Sequence, residues 1–199
     1  GPKLITVTEK LLIERGILAT PYFKFAQYEP HHKLRRSSPW QRAYQLGIVE
    51  SPGRNQSVVE HAKKAVENGL SVMVLVQRKS HGDHLKKMLL AAGLKVEFIR
   101  GENDQEGRQK ALTKLKTGKT NVLIGTTILD VGVDVPAVGM VINAGGGKAE
   151  VALRQRIGRG LRAKKGAANV CFILDFCDEV DKNKNPTWVD RNNNYLKEH

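Results

Sequence analysis

The chain holds little that would tie it to an oxidising compartment, a membrane or a structural metal. Its 199 residues include two cysteines, Cys171 and Cys177. Two thiols build neither a disulfide framework nor a four-ligand zinc site, so both read as reduced thiols and no metal site is expected. Long apolar runs are missing: the longest, Val72–Val76, is far short of the roughly 18 residues that cross a bilayer. The first apolar stretch is interrupted by Glu9, Lys10, Glu14 and Arg15, unlike a signal peptide. No membrane association is expected, and the expected location is the cytoplasm. Aromatics are only 6%, yet hydrophobic residues reach 40%, which is too many for a disordered chain. Acidic charge is scarce: 20 Asp+Glu stand against 33 Lys+Arg, a net charge of +13. That excess favours an acidic partner, nucleic acid first, over charge that only aids solubility. The length suits one domain.

Gly1-Pro2 reads as an expression scar and is left out of the fold reasoning. Residues 3–20 read as a short helix stopped by Gly16, and residues 21–29 alternate with a period of two, as a strand does. Residues 30–56 read as irregular, with a helical turn at Trp40–Leu46. From residue 57 the pattern is regular. Val58, Val59, Ala62, Ala65 and Val66 recur at helical spacing up to Gly69. Strands are expected at 71–77, 95–100, 121–125, 138–143 and 169–174, and helices at 81–92, 104–116 and 150–162. Short apolar strands alternating with helices predict an α/β fold, a mostly parallel sheet with helices on both faces. Ligands of such sheets bind at the carboxyl ends of the strands.

A search for phosphate chemistry first meets decoys. Thr113–Thr120 ends in GKT, but a P-loop needs glycine where Thr113 stands, and it opens a helix rather than closing one. Gly145-Gly146-Gly147-Lys148 reads as a flexible loop, with an anion-binding nest as the alternative. Asp178-Glu179-Val180-Asp181 reads as solvated tail rather than a magnesium site. Arg154–Arg162 is more informative, with four arginines in nine residues. On a helix Gln155, Arg159 and Arg162 fall within about 60° of one another, opposite Leu153, Ile157 and Leu161. Arginine presents a planar, permanently charged fork to phosphate oxygens. In Ile124–Pro136, Thr126 and Thr127 offer hydroxyls and amides to a phosphate backbone. Gly132 permits a tight turn there, and Asp134 could accept hydrogen bonds from a ribose.

These segments resemble the motifs of superfamily 2 helicases. Thr126–Pro136 resembles motif V, and Gln155–Arg162 resembles motif VI, Q-x-x-G-R-x-x-R. Val74–Gln77 resembles motif IV, and Ile99-Arg100-Gly101 with Gln105 and Arg108 resembles the backbone-touching motif between IV and V. The four lie in register from about residue 55 to 178. The resemblance implies the second RecA-like lobe of such a helicase, spanning 55–178. Residues 3–54 would then be a linker leading in from a first lobe, and 179–199 a polar, partly helical tail. That first lobe of the same chain would carry the P-loop and hold most of the ATP and Mg2+.

By the same resemblance Arg159 and Arg162 act as arginine fingers on the γ-phosphate, a role worth roughly 10³–10⁵ in rate. Gly132 and Asp134 contact the nucleotide, and Gln155 couples it to the strand site. Gln77, Arg78, Arg100, Gly101, Thr126 and Thr127 hold the tracked strand by its phosphates, without reading sequence. Arg78–Leu85, the GGGK loop and Leu174-Asp175-Phe176 resemble phage recombination and branch-migration DNA helicases and restriction-enzyme motor subunits. Gln155 and Thr127 depart from the usual RNA-helicase residues. The expectation is a monomeric motor lobe for single-stranded or branched DNA, in a bacterium or phage-infected cell, inactive without its first lobe. Alternatives are a non-catalytic nucleic-acid-binding module, an RNA-helicase lobe and a restriction-enzyme motor lobe.

Overall fold

The computed structural model describes residues 20–29, 39–100, 104–126, 138–146, 170–176 and 178. The helices expected over 3–20 and 150–162, and the tail after 178, lie outside the described residues, apart from Thr20. The described chain runs β1 (Thr20–Ala26), α1 (Trp40–Tyr44) continued by a π-helical turn (Gln45–Val49), and α2 (Pro52–Glu67). Then follow β2 (Val72–Leu75), α3 (Lys79–Ala91), β3 (Val96–Ile99), α4 (Gln105–Lys116), β4 (Val122–Gly125), β5 (Met140–Asn143) and β6 (Val170–Phe176).

The six strands form one sheet in the order β1-β6-β5-β2-β4-β3, and every pairing is parallel. Parallel strands are covered on both faces, which is why β2 and β4 are apolar on both sides. On one face α2 and α3 press Val58, Ala62, Leu85 and Leu89 onto Val74, Ile124, Ile142 and Leu174. On the other, α4 presses Ala111, Leu112 and Leu115 onto Met73, Leu123, Val141 and Ile173. Trimming one of these buried leucines to alanine costs about 2–5 kcal/mol, because a tight core relaxes poorly around the hole.

Two boundaries differ from expectation. The apolar repeat of α2 begins at Val58, but the helix starts at Pro52, with the Ser51 hydroxyl accepting from the Arg54 amide at 3.4 Å. The boundary expected at residue 55 therefore falls inside α2. β1, from the expected linker over 3–54, is a sheet strand paired in register with β6 from Thr20↔Val170 to Ala26↔Phe176. Its period-two pattern was legible. Its partner was not, because parallel pairing leaves no local turn to mark it.

Candidate nucleic-acid interface and its support

Register sets the candidate edge. Leu75 is paired with both Gly125 and Asn143, and Gly125 with Ile99, so β3, β4, β2 and β5 end level. The chain leaves them through Arg100, Thr126, Val76-Gln77-Arg78 and Ala144-Gly145-Gly146. Gln77, Arg78, Arg100 and Thr126 thus share one edge, with Gln77 exposed and the others half-buried. Gly101, Thr127, Gly132, Asp134, Gln155, Arg159 and Arg162 lie outside the described residues.

Side-chain and backbone partners orient Arg100, Arg78 and Gln77. Arg100 pairs with Asp83 and lies over the Phe98 ring, 4.9 Å from its centroid. Gly82 makes this possible, because a Cβ there would overlap the Phe98 ring. Arg78 lies 4.5 Å from the Tyr44 ring centroid, and its Nη1 donates to Gln45 Oε1 at 2.8 Å. The Gln77 amide donates to the Gly145 carbonyl at 3.2 Å and also to the Gly146 carbonyl. These carbonyls belong to the expected flexible loop, yet side chains hold both. The Gly145 amide donates to Leu75 O at 2.8 Å, so it does not face out as an anion nest would.

Beneath this edge lies a polar cluster that sequence reasoning missed. Arg54 is fully buried. Its Nε donates to Asp178 Oδ1 at 2.7 Å, its Nη2 to Oδ2 at 3.1 Å, and its Nη1 to the Ala144 carbonyl. Its plane lies 4.5 Å from the Phe176 ring centroid, and the Tyr28 hydroxyl donates to Asp178 Oδ1 at 2.5 Å. Asp178 is therefore buried and ion-paired, not part of a solvated tail. The reason is the fold: the segment just after β1 brings Tyr28, and α2 brings Arg54, onto the end of β6. Arg54 and Asp178 are 124 residues apart, and no spacing rule links them. The usable local signal was the Ser51-Pro52 helix start, which puts Arg54 in a first turn.

Burial alone would lower the Arg54 pKa. The Asp178 carboxylate, then Tyr28, outweigh it and raise it above the ordinary value, so the guanidinium stays charged. Burial first and the Asp178 charge second push the Tyr28 phenol up. Next to this cluster, His81 pairs through Nε2 with Asn55 Oδ1 at 2.8 Å, and Asn55 donates to Val49 O at 2.8 Å. Burial, then the Arg54 charge, push His81 down to about 3, so it is neutral near pH 7. On β5 and β6, Asn143 donates to Asp175 Oδ1 at 3.3 Å, and that oxygen also accepts the Phe176 amide at 2.8 Å. Asp175 and Asp178 are thus both engaged internally. Among the described residues no group of three or more metal-ligating side chains occurs.

The all-parallel sheet with helices on both faces, and a polar row at its carboxyl edge, defines a RecA-like lobe. The family described as helicase conserved C-terminal domain matches residues 55–164, and the chain belongs to that family, as a superfamily 2 helicase C-terminal lobe. ATP-dependent RNA helicase dbp10 of Schizosaccharomyces pombe is 33% identical over 124 residues, covering 61% of this chain and 15% of that protein. UvrABC system protein B of Kosmotoga olearia is 29% identical over 140 residues, covering 67% and 20%. The chain thus spans a fifth or less of these relatives. Among solved structures, T4 UvsW superposes with a TM-score of 0.68 at 18% identity, over 90% of this chain and 38% of that one. The C-terminal part of the Fun30 ATPase domain gives 0.56 at 18%, over 67% and 43%. At these identities the structures speak for the fold alone.

Proposed function

We propose that the chain is the C-terminal motor lobe of an ATP-dependent DNA helicase or translocase that remodels branched DNA in recombination, repair or replication. The observation that carries this is the row Gln77, Arg78, Arg100 and Thr126 along the ends of three neighbouring strands. Such a row suits successive phosphates of one strand. Arg78 and Arg100 are half-exposed at this edge, and a phosphate can compete for their guanidinium donors. The contacts are to backbone, so grip does not depend on base sequence.

ATP is the substrate, held with Mg2+ mainly by a first RecA-like lobe of the same protein. Gly132 and Asp134 bind the nucleotide, and Gln155 links it to the strand site. Arg159 and Arg162 reach the γ-phosphate, where they stabilise charge developing in phosphoryl transfer. Closure on ATP and release after hydrolysis alternate the grip of Gln77, Arg78, Arg100, Gly101, Thr126 and Thr127 on the strand. The lobe works as a monomer in the cytoplasm of a bacterium or phage-infected cell.

A second reading is an RNA-helicase lobe, favoured by the names of dbp10 and of human DDX43, a probable ATP-dependent RNA helicase 36% identical over 96 residues. Gln155 and Thr127 favour DNA. ATP turnover of the full-length protein with single-stranded DNA, branched DNA or RNA separates the two. DNA should stimulate and RNA should not; stimulation by RNA alone would replace the DNA reading.

A further inference from the structure

We infer that Gln45 is a further strand-binding residue, whose amide donates to the backbone phosphate that Arg78 grips, with Tyr44, Asn55 and His81 as its positioning residues. The inference rests on the function proposed above. Gln45 opens the π-helical turn after α1, upstream of residues 55–164 that match the helicase family. The bond between the two side chains fixes which way the amide points. A guanidinium only donates, so the Gln45 atom that meets Arg78 Nη1 at 2.8 Å is the oxygen, Oε1. The Nε2 hydrogens of the same planar group cannot bond Arg78 and are left for an acceptor.

Arg78 keeps donors too, since the bond to Gln45 uses one nitrogen of its fork. A phosphate oxygen beside Arg78 thus meets guanidinium and amide donors together. Both residues are half-buried, which leaves the pair open to a strand while limiting competition from water. The amide adds a donor without adding charge, so it tightens the grip on a phosphate and does not widen the basic field.

The backbone under Gln45 is unusual and well fastened. Gln45 O accepts from the Glu50 amide at 2.8 Å, the wide pattern of a π helix. Such turns are rare, come mostly one at a time and recur at functional sites. On the near side, Tyr44 donates its hydroxyl to the Gly145 carbonyl at 2.5 Å and sets its ring against Arg78. On the far side, Val49 O accepts from Asn55 Nδ2 of α2 at 2.8 Å. Asn55 Oδ1 then faces His81 Nε2 of α3 at 2.8 Å, which requires the imidazole proton on that nitrogen. Leu46, Ile48 and Val49 are buried with Ala43 and Tyr44. Arg78 caps α3 and His81 stands in its first turn, so one helix start carries both the cation and an anchor of the turn facing it. The spacing of amide and guanidinium is set before a strand arrives, which cuts the ordering cost of binding.

Titration of the full-length protein with fluorescent single-stranded DNA, at several salt concentrations, tests this. Gln45→Ala should weaken binding about three- to tenfold, the range of one lost hydrogen bond. It should leave the salt dependence unchanged, because the amide is neutral, whereas Arg78→Ala should reduce the salt slope by about 1. The deciding comparison is Gln45→Ala made in Arg78→Ala protein. A residue that only steadies or shields Arg78 costs nothing once Arg78 is gone, whereas a phosphate donor still costs about threefold or more. Unchanged or tighter binding by Gln45→Ala, or a loss seen only while Arg78 is present, overturns the inference. If Gln45→Ala lowers the unfolding midpoint, Gln45→Met, which keeps the length and removes the amide, is scored by the same criteria. Arg78→Ala with wild-type affinity and salt slope would instead overturn the proposed strand edge, and the inference with it.

Discussion

Arginine appears in two settings less than a lobe apart, and the settings differ in every respect that matters for function. Arg54 is fully buried, binds both oxygens of Asp178, donates to a backbone carbonyl and stacks on Phe176. Arg78 and Arg100 are half-exposed, each over an aromatic ring, with Gln45 bonded to Arg78 and Asp83 paired with Arg100. A buried guanidinium with each of its three nitrogens hydrogen-bonded internally holds structure. One with donors facing solvent can exchange a weak internal partner for a phosphate. Charge alone does not distinguish the two, so the +13 of the chain overstates its nucleic-acid footprint.

The contrast breaks most sharply outside both settings, at the arginines assigned to ATP. In the full-length protein Arg159→Ala and Arg162→Ala should each cut turnover by about 10³ or more, with nucleic-acid affinity little changed. Steady-state kinetics beside a binding titration would show it, and loss of binding with turnover intact would assign these residues to the strand instead. Next in size is Arg54→Ala, expected to lower unfolding free energy by about 3–5 kcal/mol, since it leaves the Asp178 carboxylate buried and unpaired. Urea unfolding measures this. Pairing it with Asp178→Ala should cost less than the sum of the two single changes, and strict additivity would contradict a direct pair.

A pH scan isolates the buried side further. His81 titrates near 6.5 when unfolded and at about 3 when folded. Between those values the unfolded chain binds the extra proton, so this group's stability is complete above pH 6.5. It is lost as pH falls, by up to about 1.4 kcal/mol per unit. His81→Gln should flatten that stretch of the stability–pH curve; an unchanged slope would assign the loss elsewhere. The smallest effect belongs to the exposed side. Asp83→Ala should change stability by less than about 1 kcal/mol, because a half-exposed ion pair is well screened. It should leave nucleic-acid binding equal or tighter by freeing Arg100. Weakened binding in a salt-controlled titration would mean that Asp83 orients Arg100 rather than competing for it.

What was legible in the sequence follows the same division. Strands β2 to β6 and helices α3 and α4 declare themselves through local apolar pattern and glycine stops such as Gly93 and Gly118, both at positive φ. The edge residues were legible because they follow apolar strands of a parallel sheet, whose ligand side is fixed. The Arg54–Asp178–Tyr28 cluster was not, since its parts lie 124 and 150 residues apart and meet only once β1 joins β6. Asp178 looked solvated because it stands in an acidic string past a strand end. The Gly145–Gly146 turn looked flexible because glycine there reflects close approach by Gln77, Arg54 and Asp178, which a sequence does not display.

If this lobe supplies only half of an ATP site, the 199-residue chain alone should not hydrolyse ATP above background, with or without single-stranded DNA. Its DNA binding should be weak and fall as salt rises. Sustained hydrolysis by the chain alone, raised by DNA and abolished by Arg159→Ala, would contradict the half-site account.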